Sequence, residues 1–364
     1  MKKLSDVCTK GTSNIAQKDL DARNGCYPIY GASGFIKNVD FYHQEQPYIA
    51  IVKDGAGVGR VMQLPAKSSV IGTMQYIIPN EGVSVEYLAY ALEHMNLSKY
   101  YLGAAIPHIY FKDYCNEPLP NHSEEEQENI ANTLKLLDNM ISLRKQQISK
   151  LDELVKSRFI ELFGDPVINP KSWETAPLSS LILNANNGMA RRGKDTDGSI
   201  VLRLVELQNG FIDYSATNRI SLNETEKKRY ELVDNDFLFA RVNGNPDYVG
   251  RCAVFKGIGE PVFHNDHIIR VHFDETKLNG CFTSVLLNSD YGKRQMREQI
   301  KTSAGQYTIS QDGIGAIMAI LPPMELQNQF AAFVEQTDKS KLAIQKSLEK
   351  LETLKKALMQ QYFR

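Results

Sequence analysis

Asn186-Asn187-Gly188-Met189-Ala190-Arg191-Arg192-Gly193-Lys194 gathers two amides, two guanidinium groups and an ammonium group in one short glycine-containing stretch. Arginine and lysine pair with phosphates and with guanine edges, and asparagine and glutamine pair with adenine. Such contacts need exposed side chains on backbone that can approach closely. The stretch therefore reads as a flexible nucleic-acid-contacting loop led by Arg191, Arg192 and Lys194, with a solvated surface loop as the alternative. On the same grounds the further candidates are Lys37, Lys53, Arg60, Gln75 and His108 in the first half of the chain. In the second half they are Arg241, Asn243, Asn245, Arg251, Gln306 and Tyr307. Single residues such as Gln75 and His108 also fit as ordinary surface groups or satisfied core polar groups. Gly103–His108 and Ser303–Tyr307 are small-residue loops followed by a larger polar or aromatic side chain. They suit backbone lying near a phosphate, and equally a tight turn packing a domain on its neighbour.

Three fragments with a catalytic look carry less. Gly55-Ala56-Gly57-Val58-Gly59 has Gly-x-Gly-x-Gly spacing, not the Gly-x-Gly-x-x-Gly of a dinucleotide loop, and runs into Arg60-Val61-Met62-Gln63-Leu64, which reads as strand. Asn245-Pro246-Asp247-Tyr248 resembles the Asn-Pro-Pro-Tyr loop of adenine amino-methyltransferases, but aspartate replaces the second proline and no glycine loop for S-adenosylmethionine precedes it. His264 and His267 would face opposite sides of a strand and lack an obvious third ligand, so a hairpin or edge-strand role is expected. No catalytic residue and no metal site is assigned.

The elements that must hold these residues are set by a repeat at an offset of 200 residues. Glu125, Gln127, Ala131, Asp138, Lys150, Leu151, Leu154, Lys156 and Phe163 are answered by Glu325, Gln327, Ala331, Asp338, Lys350, Leu351, Leu354, Lys356 and Phe363. Two copies of one unit suit a target that itself has two similar halves. In the first copy Ile130, Leu134, Leu137, Ile141, Ile148, Leu151 and Val155 follow spacings of three and four that predict a coiled-coil seam, interrupted at Arg144 and Arg158. Phe330, Val334, Ile344, Leu348, Leu351 and Leu358 repeat it in the second, weakened at Thr337, Lys341 and Lys355. Ser123 and Glu126 form a capping box at the start of the first helix, Pro322-Pro323 opens the second, and Gly164-Asp165-Pro166 ends the first near Phe163.

Ahead of each helix lies sequence of another texture, rich in glycine, aromatics and short apolar runs such as Tyr48–Val52 and Phe237–Ala240 that read as strands. A weaker repeat shows here, Val58-Gly59-Arg60 against Val249-Gly250-Arg251. A modest helical stretch follows in each, near Val85–Leu97 and Phe282–Ile300. The expected class is α+β: two globular mixed α/β domains joined by two long helices packed as an antiparallel coiled coil, with a pseudo-two-fold internal repeat. The bounds are 1–120 for the first domain, 121–164 for the central helix, 165–172 for a linker, 173–322 for the second domain and 323–364 for the C-terminal helix.

The chain has 364 residues, 42% hydrophobic and 23% charged, enough for two cores. No apolar run is long enough to span a membrane and no secretory leader is evident, so a cytoplasmic location without membrane partners is expected. Five scattered cysteines lack a Cys-x-x-Cys pair and read as free thiols. A net charge of -1 gives no global attraction to DNA, which leaves any such binding to local faces.

The Leu-Pro-(Pro)-x-x-Glu-x-Gln lead into a long Leu- and Lys-rich helix, at Leu119–Gln127 (with two extra residues) and Leu321–Gln327, resembles the specificity subunits of type I restriction-modification systems. The resemblance implies that the two domains are target-recognition domains. Together they would read a two-part asymmetric sequence in double-stranded DNA. It also implies two modification (methyltransferase) subunits as partners, and two restriction subunits when cleavage occurs. S-adenosylmethionine would belong to the methyltransferase partner, and this chain would bind no cofactor. The paired helices would act as a ruler between the two readers. A self-sufficient N6-adenine DNA methyltransferase using Asn245–Tyr248 and a coiled-coil adaptor that binds no DNA are the alternatives.

Overall fold

In this computed structural model residues 1–101, 107–303 and 305–364 are described. They fall into two compact units, residues 1–148 with 343–364 and residues 149–342. Among the described residues no helix is long and apolar enough to cross a membrane.

In the first unit Cys8–Thr12 (β1), Tyr27–Gly31 (β2), Gly34–Val39 (β3), Tyr48–Val52 (β4), Val61–Leu64 (β5), Ser69–Val70 (β6) and Met74–Pro79 (β7) form two sheets. One is antiparallel in the order β1-β7-β4-β5, and the other has the order β3-β2-β6 with β2 and β6 parallel. The run Tyr48-Ile49-Ala50-Ile51-Val52 is apolar throughout because β4 is covered on both faces. Ile49 and Ile51 pack with Leu88 and Leu92 of the helix Val85–Met95 (α1), while Tyr48, Ala50 and Val52 join Met74 and Tyr76 on the other side. Asn96, in the left-handed region at φ 50°, ends α1.

The second unit repeats this arrangement with little sequence in common. Its strands are Ile182–Asn187 (β8), Ser199–Leu202 (β9), Arg219–Ile220 (β10), Asp236–Ala240 (β11), Cys252–Val254 (β12), Val262–His264 (β13) and Ile268–Phe273 (β14). They pair in the orders β8-β14-β11-β12 and β10-β9-β13, again with the parallel neighbours (β9 and β13) in the smaller sheet. Backbone bonds give the residue equivalences. Val52 N to Arg60 O (3.0 Å) matches Ala240 N to Arg251 O (2.8 Å), and Ile109 N to Lys53 O (3.0 Å) matches Ile309 N to Arg241 O (2.9 Å). Gly59 and Gly250 hold the same turn at φ 84° and 78°, and a Cβ would lie 2.5 Å from Ser98 N in one and 2.4 Å from Met296 Sδ in the other. The helical stretch expected over Phe282–Ile300 is two helices, Gly280–Asn288 (α3) and Asp290–Gln299 (α4). Ser289 is extended between them (ψ 169°) and caps the second by accepting from Gly292 N.

The long helices are Glu124–Phe163 (α2) and Met324–Phe363 (α5). The capping box closes as the sequence indicates: Ser123 N donates to Glu126 Oε2 (2.7 Å) and Glu126 N to Ser123 Oγ (3.3 Å). At the far end of α2, Gly164 (φ 78°), Lys171 and Trp173 form a cap. Lys171 Nζ donates to Glu161 O and Leu162 O (3.0 and 2.8 Å) and Trp173 Nε1 to Phe163 O (2.9 Å). The expected linker is thus folded against the helix end.

Within the first unit Lys355 Nζ meets Asp138 Oδ1 at 2.6 Å and Lys145 Nζ meets Glu352 Oε1 at 3.1 Å, so these helix segments run in opposite directions. In the second unit Lys341 Nζ meets Asp152 Oδ1 at 2.6 Å and Arg158 lies 5.9 Å from the Phe333 ring, with the same sense. Ile130, Leu134, Leu137, Ile141, Phe330 and Val334 are buried, and Ile148, Leu151, Val155, Ile344, Leu348, Leu351 and Leu358 are half-buried. The polar interruptions lie on the same stripe: Lys341 and Lys355 reach across to carboxylates, and the Thr337 hydroxyl donates to Phe333 O (2.9 Å).

Candidate nucleic-acid interface

In the second unit several sequence-selected residues converge on one edge. Met189 bridges Asn265, which brings the arginine stretch beside the turn at Asp266-His267. Arg192 Nη2 pairs with Asp266 Oδ1 (2.7 Å), and Arg191 Nη1 pairs with Glu226 Oε2 (2.8 Å). Arg241 Nη1 donates to Asp266 O (2.8 Å) and its backbone N to His267 O (2.8 Å). Beyond it Val242–Asn243 pairs with Gln306–Thr308, setting Asn243 opposite Tyr307. Arg191, Arg192, Lys194 and Gln306 are exposed. The ion pairs of Arg191 and Arg192 are surface pairs, weak enough for a phosphate to replace the carboxylate.

The loop expected over 186–194 begins only at Gly188. Asn186 and Asn187 belong to β8, opposite Arg270 and Ile269, so only residues 188–198 lie between strands. Gln306 and Tyr307 belong to a hairpin with Lys301–Ser303. Arg251 is set back: it donates to Leu207 O (3.3 Å) and Gln208 Oε1 (3.1 Å) and lies 4.4 Å from the Tyr248 ring, so its guanidinium is held inside the domain.

In the first unit Lys53, Arg60 and His108 lie around an Asp54–His108 pair, the two residues also forming a backbone bridge. Arg60 Nη1 donates to Ala32 O (2.8 Å). Residues 102–106 of the Gly103–His108 segment, and Ala304 of the Ser303–Tyr307 segment, lie outside the described residues. Lys37 sits apart from this group on β3, its Nζ bonded to Leu20 O (3.0 Å) and Asn24 Oδ1 (3.1 Å). Gln75 is not a surface contact. It lies on the central strand β7, 2% exposed, and donates to the Tyr114 hydroxyl. A carboxamide in a two-sided strand has to find its partner in the core.

Residues the sequence reading passed over join both groups. Tyr110 is exposed, its ring centroid 4.1 Å from that of His108, with Lys112 Nζ 5.2 Å from the Tyr110 ring. His267 Nε2 lies 3.3 Å from Arg192 Nη2, and Lys301 is exposed on the hairpin beside Tyr307. Their signal was proximity in sequence to chosen residues: Tyr110 and Lys112 follow His108, and Lys301 precedes Gln306.

The three catalytic-looking fragments have local roles. Gly55–Gly59 turns into β5. Asn245 Oδ1 accepts from Asp247 N (3.0 Å), capping the single turn Pro246–Tyr248. His264 is buried, and removal from water pushes its pKa down to about 4. Among the described residues no group of three or more His, Cys, Asp or Glu side chains is arranged to hold a metal ion.

A family model described as the type I restriction modification DNA specificity domain matches residues 1–153. The StySPI specificity subunit of Salmonella potsdam is 26% identical over 339 residues, covering 86% of this chain and 72% of the relative. The EcoKI specificity subunit of Escherichia coli (strain K12) is 24% identical over 271 residues, 69% of this chain and 58% of the relative. Among solved structures, the type I restriction-modification S subunit from M. genitalium superposes with a TM-score of 0.64 at 15% identity, over 100% of this chain and 95% of that one. A chain from a structure of type I R-M complex assembly and conformational transition gives 0.58 at 14% identity, over 100% and 97%. The structural likenesses concern the fold. With the lead-in motif present twice and the family model matched across the first of the two copies, the chain is similar to the specificity subunits of type I restriction-modification systems.

Proposed function

We propose that this chain reads DNA sequence as the specificity subunit of a type I restriction-modification complex, one part of a two-part site per domain. The observation that carries the reading is the duplicated sheet pairing, which sets Lys53 and Arg241 at equivalent positions next to groups rich in basic, amide and aromatic side chains. Phosphate contacts from Arg191, Arg192, Lys194 and Lys53 supply affinity that falls with salt, and Asn243, Gln306, Tyr307 and His108 are placed to discriminate base edges. The two long helices form an antiparallel coiled coil that acts as the spacer ruler, within a pseudo-two-fold internal repeat. Two modification subunits bring S-adenosylmethionine and the methyl-transfer chemistry, two restriction subunits join for cleavage, and the complex works in the cytoplasm. This chain carries no catalytic step of its own, in keeping with an Asn245 side chain already used as a helix cap.

The test is methyl transfer to DNA from labelled S-adenosylmethionine, with modified positions mapped, for the chain alone and with a cognate modification subunit. Activity only in the mixture, confined to adenines in a two-part sequence, supports the proposal. Transfer by the chain alone, abolished by Asn245→Ala, replaces it with the methyltransferase reading.

A further inference from the structure

We propose that Gln127 and Gln327 are positioning residues that fix the angle of each reading domain on its long helix, and thereby set how strictly the spacer between the two half-sites is measured. The inference rests on the specificity-subunit reading above. Each glutamine sits one turn inside its helix, 7% and 0% exposed. Gln127 Oε1 accepts from Ser84 N (3.0 Å), and its Nε2 donates to Gly82 O (3.4 Å) and His122 O (3.1 Å). Gln327 repeats all three bonds, accepting from Asn279 N (2.8 Å) and donating to Lys277 O (2.9 Å) and Pro322 O (2.8 Å).

The partners explain what the clamp holds. Ser84 and Asn279 are the N-caps of α1 and α3, each with its side chain turned onto the first amides of its helix. The glutamine therefore ties the start of the domain's own helix to the lead-in of the long helix. Its acceptor and both donors are used at one buried point. No apolar residue of that size can replace all three bonds, and the half-buried N-cap amide would lose its partner. A domain of this size is roughly 25 Å across, so a tilt of about 10° at the clamp shifts its far edge by about 4 Å. One base-pair step is about 3.4 Å. Discriminating spacers that differ by one base pair thus requires the domain angle to be fixed to within a few degrees.

The experiment uses the full chain with its modification subunit, as wild type, Gln127→Met, Gln327→Met and the double variant. The DNA library carries the two half-sites at every spacer from three base pairs shorter to three longer than the parent. The expected result is unchanged half-site bases, with methylation at spacers one base pair off rising roughly tenfold relative to the parent spacer, and more in the double variant. Amide exchange at Ser84 and Asn279 should quicken in step. Faster exchange with the spacer profile unchanged, or loss of half-site preference at an unchanged spacer, overturns the proposal. If the methionine variants do not fold, Gln127→Asn and Gln327→Asn keep a neutral carboxamide one methylene shorter, which cannot reach all three partners. They should widen the profile by a smaller factor, and a wild-type profile from them overturns the proposal too. A wild-type complex that methylates no two-part sequence defeats the specificity-subunit reading itself, an outcome separate from any difference among the variants.

Discussion

The two units share a scaffold and differ at its rim. Their sheets have the same strand order and the same antiparallel and parallel pairings, and the same glycine turn precedes Arg60 in one and Arg251 in the other. Around that frame the residues change. The parallel pairs Tyr30–Val70 and Leu202–His264 are equivalent, so a valine in one domain answers a buried histidine in the other. The bridge Asp54–His108 is answered by Val242–Thr308. Where the domain meets the long helices, the second unit stacks Phe159, Phe163, Phe282 and Phe330, whereas the first packs Tyr87, Ile130, Met359 and Phe363. Backbone pairing tolerates these exchanges, because it depends on burial and pleat and not on which apolar side chain fills a place. The rim is therefore free to vary without disturbing the scaffold.

The comparison breaks first at the junctions. Phe330→Ala empties a fully buried aromatic site and should cost about 3–5 kcal/mol, against about 2–3 for Ile130→Ala in the first unit. Denaturant unfolding followed by the fluorescence of Trp173, the single tryptophan, should register the first change strongly. An equal response to Ile130→Ala would show that the junctions are energetically alike.

Acid sharpens the contrast between Val70 and His264. With a folded pKa of about 4 against 6.5 when unfolded, stability from the neutral ring is complete above pH 6.5. It is lost as pH falls toward 4, by roughly 3 kcal/mol in all. His264→Val, copying the first domain, should flatten that part of the stability profile; an unchanged slope would mean another group is responsible.

A smaller effect separates the rims. Arg191→Ala, Arg192→Ala and Lys194→Ala together should weaken DNA binding about 10- to 100-fold near physiological salt, and flatten the slope of log K against log salt by up to about 3. The second half-site alone should lose stringency, while Lys53→Ala should affect only the first. Blurring of both half-sites by either change would end the idea of separate readers. Smallest is Gln75→Leu, which should cost about 1–2 kcal/mol by stranding the Tyr114 hydroxyl. DNA preference should stay as it was, and a changed first half-site would return Gln75 to the interface.

The helices were legible in the sequence because they carry a strict period and local stop and start chemistry. Ser123, Glu126 and Gly164 act where they stand, and the seam residues from Ile130 to Leu358 keep the 200-residue offset. The shared sheets were legible only in part, in strands such as Tyr48–Val52 and Phe237–Ala240 and in the echo of Val58-Gly59-Arg60 at Val249-Gly250-Arg251. Insertions such as the stretch from Arg203 to Asn235, against the shorter one from Ala32 to Pro47, pull equivalent residues off that offset, so that Lys53 matches Arg241 and Arg60 matches Arg251. Arg191, Arg192 and Lys194 are exposed, as the glycine and charge around them indicate in the sequence. Gln75 was misread because a polar residue in a strand covered on both faces looks, in sequence, like one on an open face. Lys37 and Arg251 are tied to Leu20 O and Leu207 O, distant backbone carbonyls that no local pattern announces.

Met359 and Phe363 are packed into the core of the first unit, which otherwise consists of residues 1–148. On a ribosome these two side chains appear on the order of 10–40 s after Ile148 has been added. The second unit is one uninterrupted stretch and can close first. In that interval the apolar surface around Tyr87, Leu88 and Ile130 has no cover from its own chain. A neighbouring nascent chain's last helix could fill it, so crowding on a polysome would favour exchanged dimers. Slowing translation after residue 148 should raise that fraction, and expressing residues 343–364 as a separate peptide should suppress it.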